Sequence, residues 1–153
     1  MESNRRDFMK AGAVITAAGA LGAATPAGAI EINAVNPTPE QFEAFKALPD
    51  NGPVLMLNLL KFKPEGGQAE YMKYSAGVQP MIVKHGGKVV FMARTEFCLI
   101  GHADWDAVAV VQYPSKQAFI DMTFSEEYLA IHHHREAGLR GQVLYAMTQG
   151  APA

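Results

Sequence analysis

The feature that most constrains this chain is the run VLMLNLLKF, Val54 to Phe62. It is apolar almost throughout, with turn residues on both sides: LPDNGP before it and KPEGG after it. Successive side chains on a strand point to opposite faces, so a run apolar at both parities needs cover on both sides. Val54, Met56, Asn58, Leu60 and Phe62 share one face, and Leu55, Leu57, Leu59 and Lys61 share the other. A central, doubly covered strand is therefore expected here.

The neighbouring segments supply the cover. Thr38, Pro39 and Gln41 form a capping-box pattern at the head of a short helix whose apolar face is Phe42, Phe45 and Leu48. From Gln68 to His85, residues Tyr71, Tyr74, Ser75, Val78, Met81, Ile82 and His85 recur with helical period. Pro80 predicts a kink in that helix, and Gly86-Gly87 predicts its end. KVVFMARTEFCLI, Lys88 to Ile100, reads as a long strand. The turn GHAD joins it to a hairpin partner, WDAVAVVQY, which Pro114 stops. Ser115 caps a helix carrying Ala118, Phe119 and Met122. A second helical stretch runs from Ser125 to Ala137 and ends at Gly138, and QVLYAMTQ, Gln142 to Gln149, is the last strand.

After the first short helix the order is β-α-β-β-α-β, an α+β, ferredoxin-like antiparallel sheet with helices on one face. One copy covers only one face of such a sheet. Two copies stacking their open faces would cover the other and enclose a cavity between the sheets, so a homodimer is expected. The domain boundaries expected are 1–29 for a leader, 30–52 for a linker and short helix, and 53–150 for the folded domain.

The leader is read from NRRDFMK, followed by the Gly- and Ala-rich AGAVITAAGALGAA and the small residues Ala27, Gly28 and Ala29. A basic start, an uncharged middle and an A-x-A site in that order make an export signal. Arg5-Arg6 before Asp7, Phe8, Met9 and Lys10 resembles the twin-arginine signal, with Met9 where Leu is common. The uncharged middle is shorter than the ~20 apolar residues of a membrane span, so the mature chain is expected to have no stable span. The twin-arginine export machinery is then a partner, and the destination is the periplasm or the cell exterior. That route carries folded cargo, which raises the expectation of a cofactor or an oligomer without naming either.

Composition narrows the rest. At 153 residues and 49% hydrophobic, one compact domain is expected. A formal charge of −2 gives no basic field for nucleic acid. The lone Cys98 excludes an intrachain disulfide, and its residue type reads first as a buried small hydrophobe.

Four segments in order, VLMLNLLKF, YMKYSAGVQPMIVKHGGKVVF, DAVAVVQYPSKQAFIDM and SEEYLAIHHHREAGL, resemble the bacterial domain-of-unknown-function family numbered 1330, over Val54 to Thr148. The resemblance implies a ferredoxin-like fold pairing as a dimeric α+β barrel. Its superfamily includes cofactor-free monooxygenases, haem-degrading enzymes, dye-decolourising peroxidases and small isomerases. The family has no settled reaction, and its usual members lack an export signal of this kind.

Candidate site residues follow from polarity in unexpected places. Asn58, inside an apolar strand, either holds a ligand carbonyl or carboxylate or bonds to neighbouring backbone. Arg94 is an anion anchor if its side of the strand faces a cavity, and otherwise a solvated partner of Glu96. His102, Asp104, Trp105 and Asp106 cluster at the hairpin turn. In IHHHREAGL, consecutive helical residues point about 100° apart, so His132, His133 and His134 cannot share one ion. His132 and Glu136 do share a face, a two-ligand pair that falls short of a closed metal site, so no metal site is assigned. His132 or His133 beside a cavity would suit proton transfer near neutral pH. Against this stands plain packing, with His134 and Arg135 set against the negative end of the helix dipole. Three functions follow in order: a small-molecule enzyme of the cofactor-free oxygenase or isomerase type, a non-catalytic ligand-binding or structural dimer, and a haem- or metal-binding protein. The cofactor is unknown from sequence.

Overall fold

The computed structural model describes residues 34–150, so the leader expected at 1–29 lies outside the described residues. The elements are α1 (Pro39–Ala47), β1 (Val54–Phe62), α2 (Gly67–Lys84), β2 (Lys88–Arg94), β3 (Ala107–Tyr113), α3 (Lys116–Thr123), α4 (Glu126–Gly138) and β4 (Leu139–Thr148). The sheet runs β2-β3-β1-β4 with every neighbour antiparallel. This is the ferredoxin-like arrangement, with the apolar run at Val54–Phe62 as an inner strand.

The local signals act as their chemistry dictates. Thr38 caps α1 reciprocally with Gln41, and Ser115 and Ser125 accept from the third residue of α3 and α4. Gly86 takes φ +75°, its N–H reaching Val83 O and that of Gly87 reaching Ile82 O, a Schellman ending for α2. The helix runs on through Pro80 without a break.

Alternation along β1 sorts the two faces. Val54, Met56 and Leu60 are buried beneath the helices, and Val54 and Met56 join Tyr74, Val78, Ile82, Tyr113, Met122 and Tyr128 in the core. Register puts Leu55, Leu57 and Leu59 on the open face with Val108, Val110, Val143 and Tyr145 of the flanking strands. That second face is apolar and carries no helix.

The hairpin is shorter than its composition suggests. β2 ends at Arg94, not Ile100, because Asp106 gives its N–H to Leu60 O at 2.8 Å and its carbonyl to the N–H of Thr95 at 3.0 Å. The ladder closes there, and 95–106 becomes a loop. Phe97, Leu99 and Ile100 are 83–90% exposed on it. Cys98 is exposed too, contrary to the buried role expected of it. A register shift between Val89 and Phe91 also breaks the expected alternation, so Val89, Met92 and Arg94 face the helix side.

α2 and α4 cross at backbone contact. A Cβ on Gly138 would stand 2.6 Å from Tyr71 N and 2.7 Å from Gly67 O, and one on Gly67 would stand 2.6 Å from Gly138 O. Alanine is the better helix former by about 1 kcal/mol, but the obstacle here is backbone, which cannot swing aside. Gly138→Ala should therefore lower stability by about 2–3 kcal/mol, read as a fall in the urea midpoint. A midpoint at or above that of the native chain would show that the helices separate freely.

Candidate functional site

The helices cover the sheet unevenly. α2 and α4 lie over β1 and β4, and α3 lies over β3. The helix-facing side of β2 and the start of β3 is left open as a cleft of about 1280 Å³. By register its floor is Leu60, Met92, Ala107 and Ala109. Tyr71 and Met72 of α2 form a wall, and Lys61, Arg94, Asp104 and Asp106 stand at the rim. The rim is tied together: Lys61 Nζ donates to Asp104 Oδ2 at 2.8 Å and Asp106 Oδ1 at 3.1 Å, and Phe62 N donates to Asp106 Oδ2 at 2.7 Å. An apolar floor with a few polar groups at its edge is the general form of a small-molecule site.

Behind Tyr71, on the β1–β4 side, lies a buried polar network centred on Arg135, which is 8% exposed. Arg135 Nη1 donates to Asn36 Oδ1 at 3.2 Å and to His132 Nε2 at 3.3 Å. Its Nη2 donates to Val35 O at 2.5 Å and to Gln142 Oε1. Gln142 Nε2 donates onward to Asn58 Oδ1 at 2.7 Å, and Asn58 Nδ2 donates to Met56 O at 3.1 Å and Ala109 O at 3.4 Å. Since guanidinium only donates, His132 Nε2 must accept, which places the proton of the neutral ring on Nδ1. Glu136 Oε1 lies 3.8 Å from that Nδ1 and accepts from Asn36 Nδ2 at 2.6 Å. Aromatic rings line the path from the cleft: Tyr71 to Tyr74 at 5.4 Å, Tyr74 to Tyr128 at 6.1 Å and Tyr128 to His132 at 5.5 Å between centroids. Burial pushes the Tyr71 hydroxyl up to about 12.

The structure thus brings Asn58, His132 and Glu136 into one network and leaves Arg94 and His133 out of it. Asn58 shares the helix-covered face with Met56 and Leu60, so it faces away from any cavity enclosed between stacked sheets. Its side-chain oxygen accepts from Gln142 and its side-chain nitrogen donates to backbone carbonyls. Arg94 also faces the helix side, at the cleft rim, 76% exposed and 3.2 Å from Glu96. The three histidines diverge as helical geometry requires. His132 turns inward, the exposed His133 ring lies tilted beside that of His134 with centroids 4.0 Å apart, and His134 Nδ1 meets Glu70 Oε2 of α2 at 2.8 Å. No group of three or more His, Cys, Asp or Glu side chains is placed to hold a metal ion among the described residues. Arg135, expected only at the helix end, is the centre of the network, and Gln142 and Asn36 carry no sequence motif that marks them. Two polar residues at helix-facing strand positions, Asn58 and Gln142, were the available signal.

Comparison with known proteins fits this architecture. A family model described as Domain of unknown function (DUF1330) matches residues 66–148, and the model of the twin-arginine translocation pathway signal sequence matches residues 2–22. A protein of unknown function from Rhodopseudomonas palustris is 33% identical, the match covering 77% of this chain and 98% of that one, with a TM-score of 0.73. A dabb family protein with a ferredoxin-like fold from Mesorhizobium loti (9% identity, 66% and 100% covered, TM-score 0.50) shares the fold alone. So does a dimeric ferredoxin-like protein of unknown function from Jannaschia sp. CCS1 (12% identity, 64% and 100% covered, TM-score 0.52). No curated protein matches the chain. No helix among the described residues is long and apolar enough to cross a membrane.

The network makes stability depend on pH. Burial first, and the Arg135 charge second, hold the His132 imidazole below its ordinary value. A folded-state value below the unfolded one gives stability that is present above about 6.5 and is lost as pH falls toward the folded value. The urea midpoint should therefore drop from about pH 7.5 to about pH 5.5 more steeply in the native chain than in His132→Gln, whose amide oxygen accepts without titrating. Equal slopes would detach His132 from the pH response.

Proposed function

Because the chain belongs to the family described as Domain of unknown function (DUF1330) and carries a twin-arginine signal, we propose that it is an exported, dimeric protein that binds a small amphipathic molecule in the cleft beside α2. Its place of action is the periplasm or the cell exterior, after cleavage near Ile30. The observation that carries the reading is the cleft itself. An apolar floor of Leu60, Met92, Ala107 and Ala109 takes the apolar body of a ligand, and Arg94 stands at the rim for its polar end. Arg94 engages only Glu96 among the described residues, an exposed pair worth little, so it is free to turn onto a ligand.

Ligand binding is favoured over catalysis because Lys61 at the cleft rim and the inward-turned His132 are already engaged. Lys61 is held by two carboxylates, and His132 Nε2 accepts from Arg135. A base must have a free lone pair within about 3 Å of the proton it takes. The enzyme reading, a cofactor-free oxygenase or isomerase with His132 or His133 as proton acceptor, keeps one supporting observation. The Tyr71 wall of the cleft leads through Tyr74, whose hydroxyl lies 3.4 Å from that of Tyr128, to the ring of His132. If His132→Ala and His133→Ala both keep every activity found for the native protein, that reading is lost.

Native mass spectrometry and an absorption spectrum of protein taken from the periplasm test the binding proposal. A bound organic molecule that Ala107→Phe, by filling the cleft floor, fails to retain is the expected result. A haem band or a bound metal would overturn it in favour of a cofactor protein. The dimer is attributed to the uncovered sheet face, where Leu55, Leu57 and Leu59 would otherwise stay in water. Light scattering should give twice the mass of the mature chain, and Leu57→Lys should give the single mass. A native monomer would remove the dimer from the proposal.

A further inference from the structure

Arg135 is buried, and no carboxylate lies within ion-pair distance of its guanidinium among the described residues. Its four acceptors are neutral, two from rigid elements (His132 of α4 and Gln142 of β4) and two from Val35 and Asn36, which precede α1 and belong to no helix or strand. The latter two are arranged one to each terminal nitrogen: Asn36 Oδ1 on Nη1 and Val35 O on Nη2. Two oxygens facing the two tines of a guanidinium fork is the arrangement a carboxylate makes. Asn36 is exposed and Val35 half-buried, and beyond Arg135 the segment is tied by Ala34 O, which accepts from Gln142 N at 2.8 Å, and by Asn36 Nδ2 on Glu136.

We propose that Arg135, backed by Gln142 and His132, is a binding site for a small carboxylate, and that residues 34–36 occupy it with the Val35 carbonyl and the Asn36 side-chain oxygen in the places of the two carboxylate oxygens. A carboxylate that displaces them keeps the charge-assisted donors of the guanidinium and adds a formal negative charge beside a buried cation that has none within ion-pair distance among the described residues. The segment leaves by giving up its two bonds from Arg135, which the ligand replaces, together with the Gln142 N–H to Ala34 O bond and the Asn36 to Glu136 bond. Binding and release of residues 34–36 are thus one event. The site is separate from the cleft, and the inference does not rest on the cleft reading.

Benzoate is the probe, titrated into the mature chain while exchange of the Gln142 amide proton is followed. That proton is bonded to Ala34 O, so saturating benzoate should strip its protection. Asn36→Ala removes one competing acceptor and should tighten benzoate binding about three- to tenfold. Arg135→Lys keeps the charge but lacks the fork, and should weaken binding at least about tenfold. Asn36→Ala alters only an exposed side chain, so it keeps the test decisive if the Arg135 variant fails to fold. Unchanged protection of Gln142 under saturating benzoate overturns the proposal, as does equal affinity in the native and Asn36→Ala chains. Tighter binding of phenyl phosphate than of benzoate overturns the assignment to carboxylates.

Discussion

Where α2 begins and α4 ends, Gly67 and Gly138 pack backbone against backbone, and the approach of these two helices depends on that contact. The Gly138 carbonyl also accepts from Lys63 N at 2.9 Å, which ties the crossing to the chain leaving β1. With the helices this close, Tyr71 is pressed toward the sheet and Arg135, one turn before Gly138, is carried beneath the surface. A side chain at either glycine would lift α4 and open the space that Arg135 and Gln142 fill. The contact also fixes the limit of the helix layer. α2 and α4 are held over β1 and β4, and the region over β2 stays uncovered.

Within this layer the polar network is an exception to an apolar interior. A buried guanidinium loses several kcal/mol of hydration, which only good hydrogen bonds and a favourable field offset. Four donated bonds and the negative end of the α4 dipole supply both. His132 contributes by staying neutral, since a proton on Nε2 would set two donors against each other. No buried side-chain nitrogen or oxygen lacks a partner among the described residues. Asn58 and Gln142 therefore impose order at the β1–β4 pairing: a slip of one residue would turn Gln142 away from both Asn58 and Arg135.

Much of this was legible in the sequence. The alternation of Val54, Met56 and Leu60, the caps at Thr38 and Ser115 and the Gly86-Gly87 ending are local signals, and local hydrogen bonding and burial realise them. Asn58 stood out as a polar residue in an apolar run, and His132 with Glu136 as a one-turn pair. What could not be read depends on distant partners. Asn36 reaches Arg135 across 99 positions, and Gln142 reaches Asn58 across 84, through strand register and the path of residues 34–36. The overextended β2 has the opposite cause. Phe97, Leu99 and Ile100 have strand-like composition, but β1 takes the Asp106 donor and the ladder ends first.

The two outer strands differ in a way that bears on assembly. At β2 the register shift around Val90 twists the free edge, and at β4 the carbonyl of Ala34 takes up a backbone donor, that of Gln142. Neither border offers a straight, unbroken row of backbone groups on which another sheet could extend. Association through the borders would have built ribbons without limit. Interrupting them leaves the open apolar face as the surface for the proposed dimer, and a face, unlike a border, would be used up when two copies close on it.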